Sequence, residues 1–306
     1  MGPHRATLIV NLNSNMPQDP PSETLPVTRV NNVYPFIAPE KHFTEQTYKS
    51  KVVFITGGSA GIGLEIATFY ARAGAAVVVT ARRQQVLDDA RAAILKAVPG
   101  ADVLAISVDV VQTEQVEAAV KATLDRFGKI DICIANAAMV DRWDRPFLKE
   151  DPNKWWKAVE VNIRGNFNAA YYTLAHLTKT KGYFITITSE AAQVRIPIGS
   201  SYLVSKHALG RFVELAALEN PEVKVMAVHP GGIKTEGAMT NPEFEPYLTD
   251  SVELPAATLL YLTSGKADWL NGRFVSSNWD LEEVERDWKD KIVEEQALVS
   301  RLHVPS

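Results

Sequence analysis

From Lys51 onward, apolar residues fall into two alternating patterns. Short β-branched and aliphatic runs occupy 52–56, 76–80, 102–108, 131–135, 183–188, 224–228 and 273–277. They show little polar alternation, which is how strands covered on both faces read. Between them, at 62–73, 85–98, 113–127, 152–178, 201–219 and 254–263, apolar positions recur at helical spacing. The strand and helix order predicts an α/β fold: a doubly wound parallel sheet of seven strands in a single domain spanning 51–280.

The flanks differ. Residues 1–50 carry Pro17, Pro20, Pro21, Pro26, Pro35 and Pro39 with little periodicity, and read as an extended arm that wraps the main body through Val33, Tyr34, Phe36 and Ile37. In 281–306, Leu281, Val284, Trp288 and Ile292 stand at steps of three and four, an amphipathic helix that Asp280 is placed to cap.

Composition narrows the function. The 306 residues are 46% hydrophobic and 22% charged, with a net charge of -4. That balance suits a globular protein and argues against a nucleic-acid surface, which needs clustered Lys and Arg. No run approaches the ~18 apolar residues of a membrane span, and the apolar stretch near the start is too short for a secretory signal. Gly2 is followed by Pro3, with Ala6 where a myristoylation motif wants Ser or Thr. The lone Cys133, inside an apolar run, reads as a small buried hydrophobe. A cytoplasmic setting is expected.

The chemistry begins at "TGGSAGIG", residues 56–63, with four glycines directly after the first strand. A glycine-rich turn between a first strand and a first helix is where α/β folds bind phosphates, because the helix N-terminus offers unpaired N–H groups and a positive dipole end. Gly57 permits the sharp turn, Gly61 lets the backbone approach a pyrophosphate, and Gly63 lets the helix pack on the strand; Ser59 and Ile62 complete the loop. Further along, Ser189 follows the fifth strand, and Tyr202 and Lys206 stand four apart in a helical stretch, on one face. A neighbouring ammonium is expected to lower the phenol's pKa and make Tyr202 a usable acid or base. Ser189 is placed to hydrogen-bond a substrate oxygen.

Together, the T-G-x-x-x-G-I-G start and the S-x12-Y-x3-K arrangement of Ser189, Tyr202 and Lys206 resemble the short-chain dehydrogenase/reductase family over about residues 51–280. The long arm and the "NWDLEEV" region resemble fungal members, many of them in secondary metabolism. The resemblance implies a Rossmann-type fold, a nicotinamide cofactor and a fourth catalytic residue, Asn162, holding a water that links Lys206 to solvent. It implies cofactor contacts from Asn136 and Ala137 in "ANAA", from Asp109 and Val110, from Tyr202 and Lys206, and from Pro230, Gly231, Ile233 and Thr235 in "PGGIKT". "ANAA" departs from the family's N-N-A-G by one Asn and the closing Gly, and Ala60 stands where NADP-preferring members often carry a basic residue.

After the second strand there is no carboxylate to grip a ribose 2′-hydroxyl; Arg82 and Arg83 stand there instead, so NADP(H) is expected over NAD(H). No metal is expected, because His176, His207 and His229 lack ligand spacing.

Substrate choice is expected to lie in 139–150, 191–200 and 236–250, whose Met139, Trp143, Phe147, Ile196, Pro197, Ile198, Met239, Phe244, Tyr247 and Leu248 favour an apolar or aromatic carbonyl compound or the matching alcohol. Arg142, Arg145 and Arg195 either meet an acidic group or lie on the surface. The expectation is an NADP(H)-dependent oxidoreductase acting on CH–OH or C=O groups, a homodimer or homotetramer joined through helices 152–178 and 201–219. Two alternatives stay open: a family member doing non-redox isomerisation, dehydration or cyclisation with a structural nucleotide, and a nucleotide-sensing scaffold, which the retained tetrad disfavours.

Overall fold

The computed structural model describes residues 24–302; Gly2, Pro17, Pro20 and Pro21 lie outside them. Seven strands form one parallel sheet, β1 (Val52–Thr56), β2 (Ala76–Ala81), β3 (Val103–Ser107), β4 (Ile132–Ala135), β5 (Tyr183–Ile187), β6 (Lys224–His229) and β7 (Phe274–Ser276), in the order β3-β2-β1-β4-β5-β6-β7. The α-helices between β1 and β7 are α1 (Gly61–Arg72), α2 (Gln84–Ala97), α3 (Thr113–Phe127), α4 (Pro152–Val159), α5 (Gly165–Thr180), α6 (Ser200–Glu219) and α7 (Glu253–Leu262). The fold is the Rossmann-type single domain that the strand and helix order predicts.

Alternate residues of each central strand feed two cores. Val53, Ile55 and Ile134 pack on one face of the sheet and Phe54, Cys133 and Ala135 on the other, so every residue of β1 and β4 is buried. Burial pushes the Cys133 thiol up to about 12, which leaves it an inert packing group. At the sheet's amino end, buried Asp131 accepts Val52 N at 2.9 Å and pairs with Lys51 and Lys129, fixing β1 beside β4.

The expected single helix over 152–178 is two helices spliced by a π-turn. Asp151 caps α4 by accepting Asn153 N, with Pro152 at the first helical position. The chain then widens through Glu160–Arg164 before resuming as α5. Apolar spacing cannot reveal such a turn, because both halves keep their helical period.

Ahead of β1, Ile37 is buried in the core and Val33, Tyr34 and Phe36 pack against it. Arg29 forms an antiparallel bridge with Trp279, so residues 28–34 run beside the chain that leaves β7. Asp280 accepts Glu282 N and Glu283 N, starting the short helical run that buries Leu281, Val284 and Ile292.

Candidate active site

β1 lies between β2 and β4, so the strand order reverses at β1/β4 and a crevice opens beyond their carboxyl ends. A cleft of about 680 Å³ occupies this place. It is lined by the glycine turn (Gly57, Ser59, Gly61, Ile62, Gly63), by Arg82 and Arg83, by Asp109 and Val110, by Asn136 and Ala137, by Ser189, Tyr202 and Lys206, and by Pro230, Gly231, Ile233 and Thr235. Residues up to 178 apart in sequence thus meet around one cleft, from Gly57 to Thr235. Asn162 alone of the expected residues stands behind the cleft.

The glycine turn is built around absent side chains. Gly57 adopts φ +65°, and a Cβ there would sit 2.8 Å from Ala137 Cα; a Cβ on Gly63 would sit 2.3 Å from Gly57 O and 2.6 Å from Asn136 Nδ2. Asn136 Nδ2 donates to Thr56 O at 3.1 Å and Gly57 O at 2.9 Å, while Thr56 Oγ1 accepts both Asn136 N and Ala137 N. The Asn136 amide therefore clamps the turn to the end of β4. No side chain caps α1 at Ala60, so its first N–H groups are left for a ligand. This donor set fits a pyrophosphate. Gly63→Ala is expected to displace the Gly57 carbonyl at a cost of about 1–3 kcal/mol. A lower melting temperature together with weakened dinucleotide binding in a fluorescence titration checks it.

At the carboxyl end of β2, Arg82 and Arg83 are exposed, and neither guanidinium has an ion pair or hydrogen bond among the described residues. The Arg82 carbonyl accepts the Ser107 hydroxyl at 3.0 Å, which ties this corner to β3. Asp109 shapes the next loop, its Oδ1 accepting Val111 N and its N–H donating to Gln115 Oε1.

Ser189 follows β5 and opens a tight turn, Glu190–Ala192, accepting Ala191 N at 3.1 Å. Tyr202 and Lys206 come from the first turns of α6, which starts after Gly199 at φ +69°. Lys206 is 1% exposed; its Nζ donates to Ile187 O at 2.7 Å and lies 5.5 Å from the Tyr202 ring centroid. The electrostatics correct the expectation of a lowered phenol. Desolvation pushes Tyr202 up to about 12, opposed only by its hydrogen bond with Ser189, and brings Lys206 down to about 7. An ammonium this close to losing its proton lends the phenol little positive charge.

Asn162 sits on the π-turn, fully buried. Its Oδ1 accepts Met139 N at 2.7 Å, and its Nδ2 donates to Met139 O and to Ser205 Oγ, which in turn donates to Tyr202 O. The amide thus joins the loop after β4 to the turn of α6 that carries Tyr202. π-turns concentrate at functional sites.

At the substrate end, Trp143 stands 5.5 Å from both Tyr202 and Phe244, ring centroid to centroid. A Cβ on Gly199 would meet its ring at 2.6 Å, so the indole lies against bare backbone. Trp143 N donates to Asn241 Oδ1 and Asn241 Nδ2 to Asp141 O, locking the first and third substrate segments together. Met139, Phe244 and Leu248 also line the cleft. The other expected substrate residues do not. Phe147 and Tyr247 are 64% and 68% exposed on short 3-10 turns, Ile198 is buried beneath its loop, and Ile196, Pro197 and Met239 lie off the lining. Arg142 is held by Thr240 O, Asp144 and Glu243, and Arg145 by Asp144.

His229, which lacks metal-ligand spacing in the sequence, lines the cleft while buried, its Nε2 3.6 Å from Glu190 Oε2; burial holds its imidazole below the usual range. No group of three or more potential metal ligands occurs among the described residues.

A glycine turn at the switch point of a doubly wound sheet, facing Ser189, Tyr202 and Lys206 across the cleft, defines a nucleotide-binding type of α/β fold. Residues 51–246 match the family described as short chain dehydrogenase, and the chain belongs to that family, whose members use nicotinamide nucleotides. Among individual proteins, it is 34% identical over 282 residues to a short chain dehydrogenase, pigC, of Monascus ruber, covering 88% of this chain and 90% of that one. It is 34% identical to a short chain dehydrogenase, andI, of Emericella variicolor over 78% of this chain and 84% of that one. Levodione reductase superposes with a TM-score of 0.70 at 27% identity, covering 74% of this chain and 96% of that one. An alcohol dehydrogenase of the archaeon Thermococcus sibiricus, in complex with 5-hydroxy-NADP, superposes with a TM-score of 0.66 at 29% identity over 74% and 95%.

Proposed function

We propose that this protein is an NADP(H)-dependent carbonyl reductase, or in reverse an alcohol dehydrogenase, acting on an apolar or aromatic small molecule of the kind handled in secondary metabolism. The main support is the single wall on which Ser189, Tyr202 and Lys206 face the uncapped start of α1 across one cleft. The glycine turn would hold the pyrophosphate, with Asp109 and Val110 beside the adenine, and Asn136, Ala137, Lys206, Pro230, Gly231, Ile233 and Thr235 along the ribose and nicotinamide end. When bound, the nicotinamide supplies or accepts the hydride. Tyr202 gives its proton to the substrate oxygen in reduction and takes it back in oxidation. Ser189 hydrogen-bonds that oxygen and fixes its approach, and Asn162 keeps the Tyr202 turn against the substrate loop and holds the relay water of Lys206. Trp143 and Phe244 form an aromatic wall beside the phenol, which supports a planar apolar substrate.

Arg82 and Arg83, whose guanidinium groups have no partner among the described residues, support the NADP(H) preference, since a 2′-phosphate matches a guanidinium fork. In a fluorescence titration, the Arg82→Ala, Arg83→Ala double variant is expected to lose about 1.5–3 kcal/mol of NADPH binding, tenfold or more, with NADH binding little changed. If the parent protein binds neither nucleotide, the reductase reading fails.

Exposed Trp156, Phe167 and Tyr171 on α4 and α5, with Val204, Leu215 and Leu218 on α6, support a homodimer or homotetramer joined through these helices. No helix among the described residues is long and apolar enough to cross a membrane, and a cytoplasmic location is part of this reading.

A further inference from the structure

We infer that the segment 28–34 is a positioning strap for the catalytic cleft, and that Arg29 acts through Glu190 to set Ser189. The inference rests on the reductase reading for Ser189 and adds to it a residue 160 positions upstream of that serine.

The strap is tied on both sides of Arg29. Glu283 accepts Thr28 N at 2.7 Å and the Thr28 hydroxyl at 2.8 Å. Val30 N donates to Asn278 O and Asn278 Nδ2 returns the bond to Val30 O, both at 2.8 Å. Beyond it, Ser251 N donates to Asn31 O, and the Tyr34 hydroxyl accepts Leu281 N. Two segments distant in sequence, at 251 and at 278–283, therefore converge on one stretch of backbone.

From this frame Arg29 reaches inward. Its guanidinium meets both oxygens of Glu190 at 3.4 Å and donates to Asn278 Oδ1 at 3.2 Å. Ser276 also donates to Glu190, at 3.1 Å, and His229 faces the same carboxylate. Glu190 is the residue after Ser189 and the first of the turn whose next N–H Ser189 Oγ accepts. A carboxylate held by Arg29 and Ser276 restricts the orientation of that turn and aims the serine hydroxyl at Tyr202. A second branch runs through Asn278, which is fully buried and donates to Asp250 Oδ2; the same oxygen accepts Gly232 N at 2.6 Å, on the cleft wall.

An isolated half-exposed ion pair contributes little, because ordering two long side chains offsets the attraction. Here the backbone pairing on either side of Arg29 has already fixed its position. Its loss is therefore expected to show in the geometry of Ser189 more than in global stability.

The test compares the full-length parent with Arg29→Ala, Arg29→Lys and, as a control, Tyr202→Phe. NADPH is the cofactor probe and phenanthrenequinone, a planar aromatic diketone, the substrate probe. Arg29→Ala is expected to lower kcat about fivefold with the NADPH Kd within about twofold, and Arg29→Lys to recover most of the loss. Hydrogen exchange read by mass spectrometry needs no substrate, and in Arg29→Ala the amides of residues 190–193 are expected to exchange about fivefold faster. Unchanged exchange there, or a kcat that falls only with the folded fraction and is not rescued by lysine, overturns the inference. A Tyr202→Phe protein as active as the parent overturns the reductase reading instead, whatever the strap does.

Discussion

Tyr202→Phe is expected to lower turnover by about 10²–10⁴-fold, the range of a general acid or base, while nucleotide binding and melting temperature stay close to those of the parent. The variant removes one oxygen. The ring keeps its place 5.5 Å from Trp143, and the backbone contact from Ser205 to Tyr202 O does not involve the hydroxyl. What disappears is the hydroxyl proposed as the proton donor, with its hydrogen bond to Ser189. With the phenol pushed up to about 12, Tyr202 is protonated throughout the neutral range, the form needed to donate to a carbonyl oxygen. Reduction is therefore expected to be nearly flat in this group's titration between pH 6 and 9, and alcohol oxidation to rise with pH. Paired kcat profiles in the two directions check the sign.

Lys206→Met is expected to lose activity on a similar scale and to gain stability in acid. An ordinary lysine titrates at 10.5; burial lowers this one to about 7. Between those values the unfolded chain holds a proton that the folded chain has released, so this group's contribution to stability rises with pH across that window. Below about pH 7 both states are protonated and the folded state bears the whole penalty of an enclosed ammonium. Methionine fills the same space without charge, at the loss of the bond to Ile187 O. The variant is expected to melt above the parent at pH 6, with the gap narrowing toward pH 10. Melting curves across that range decide it: a variant less stable at pH 6 would mean that the Ile187 bond outweighs desolvation. A gain in stability with a loss of turnover is the usual sign of a group placed for chemistry rather than folding.

The legible parts of this protein are those with local causes. β1 and β4 show as apolar runs because both faces are covered, and the glycine turn shows because Gly57 and Gly63 have no room for a Cβ. Tyr202 and Lys206 are legible because one helical turn separates them. The remainder depends on what folding brings from far away. Neither Arg29 nor Glu190 carries a signal of their contact, since 161 positions separate them. Phe147 looks like Phe244 in the sequence, yet one faces out on a short turn and the other packs on Trp143. The direction of the Tyr202 shift is hidden for the same reason: spacing reveals the neighbouring lysine but not that Lys206 is buried and the phenol partly desolvated.

The π-turn at Glu160–Arg164 divides one long helix into two rotational phases. Each helical residue advances the side-chain direction by about 100°, so deleting one residue here would restore a plain helix and turn one half against the other. If α5 kept its face on the sheet, where Ala169, Thr173 and Leu177 are buried, Asn162 and all of α4 would swing away from Met139. If α4 kept its place, the sheet would lose that face. A change of chain length between Val159 and Gly165 is therefore expected to break one set of contacts or the other.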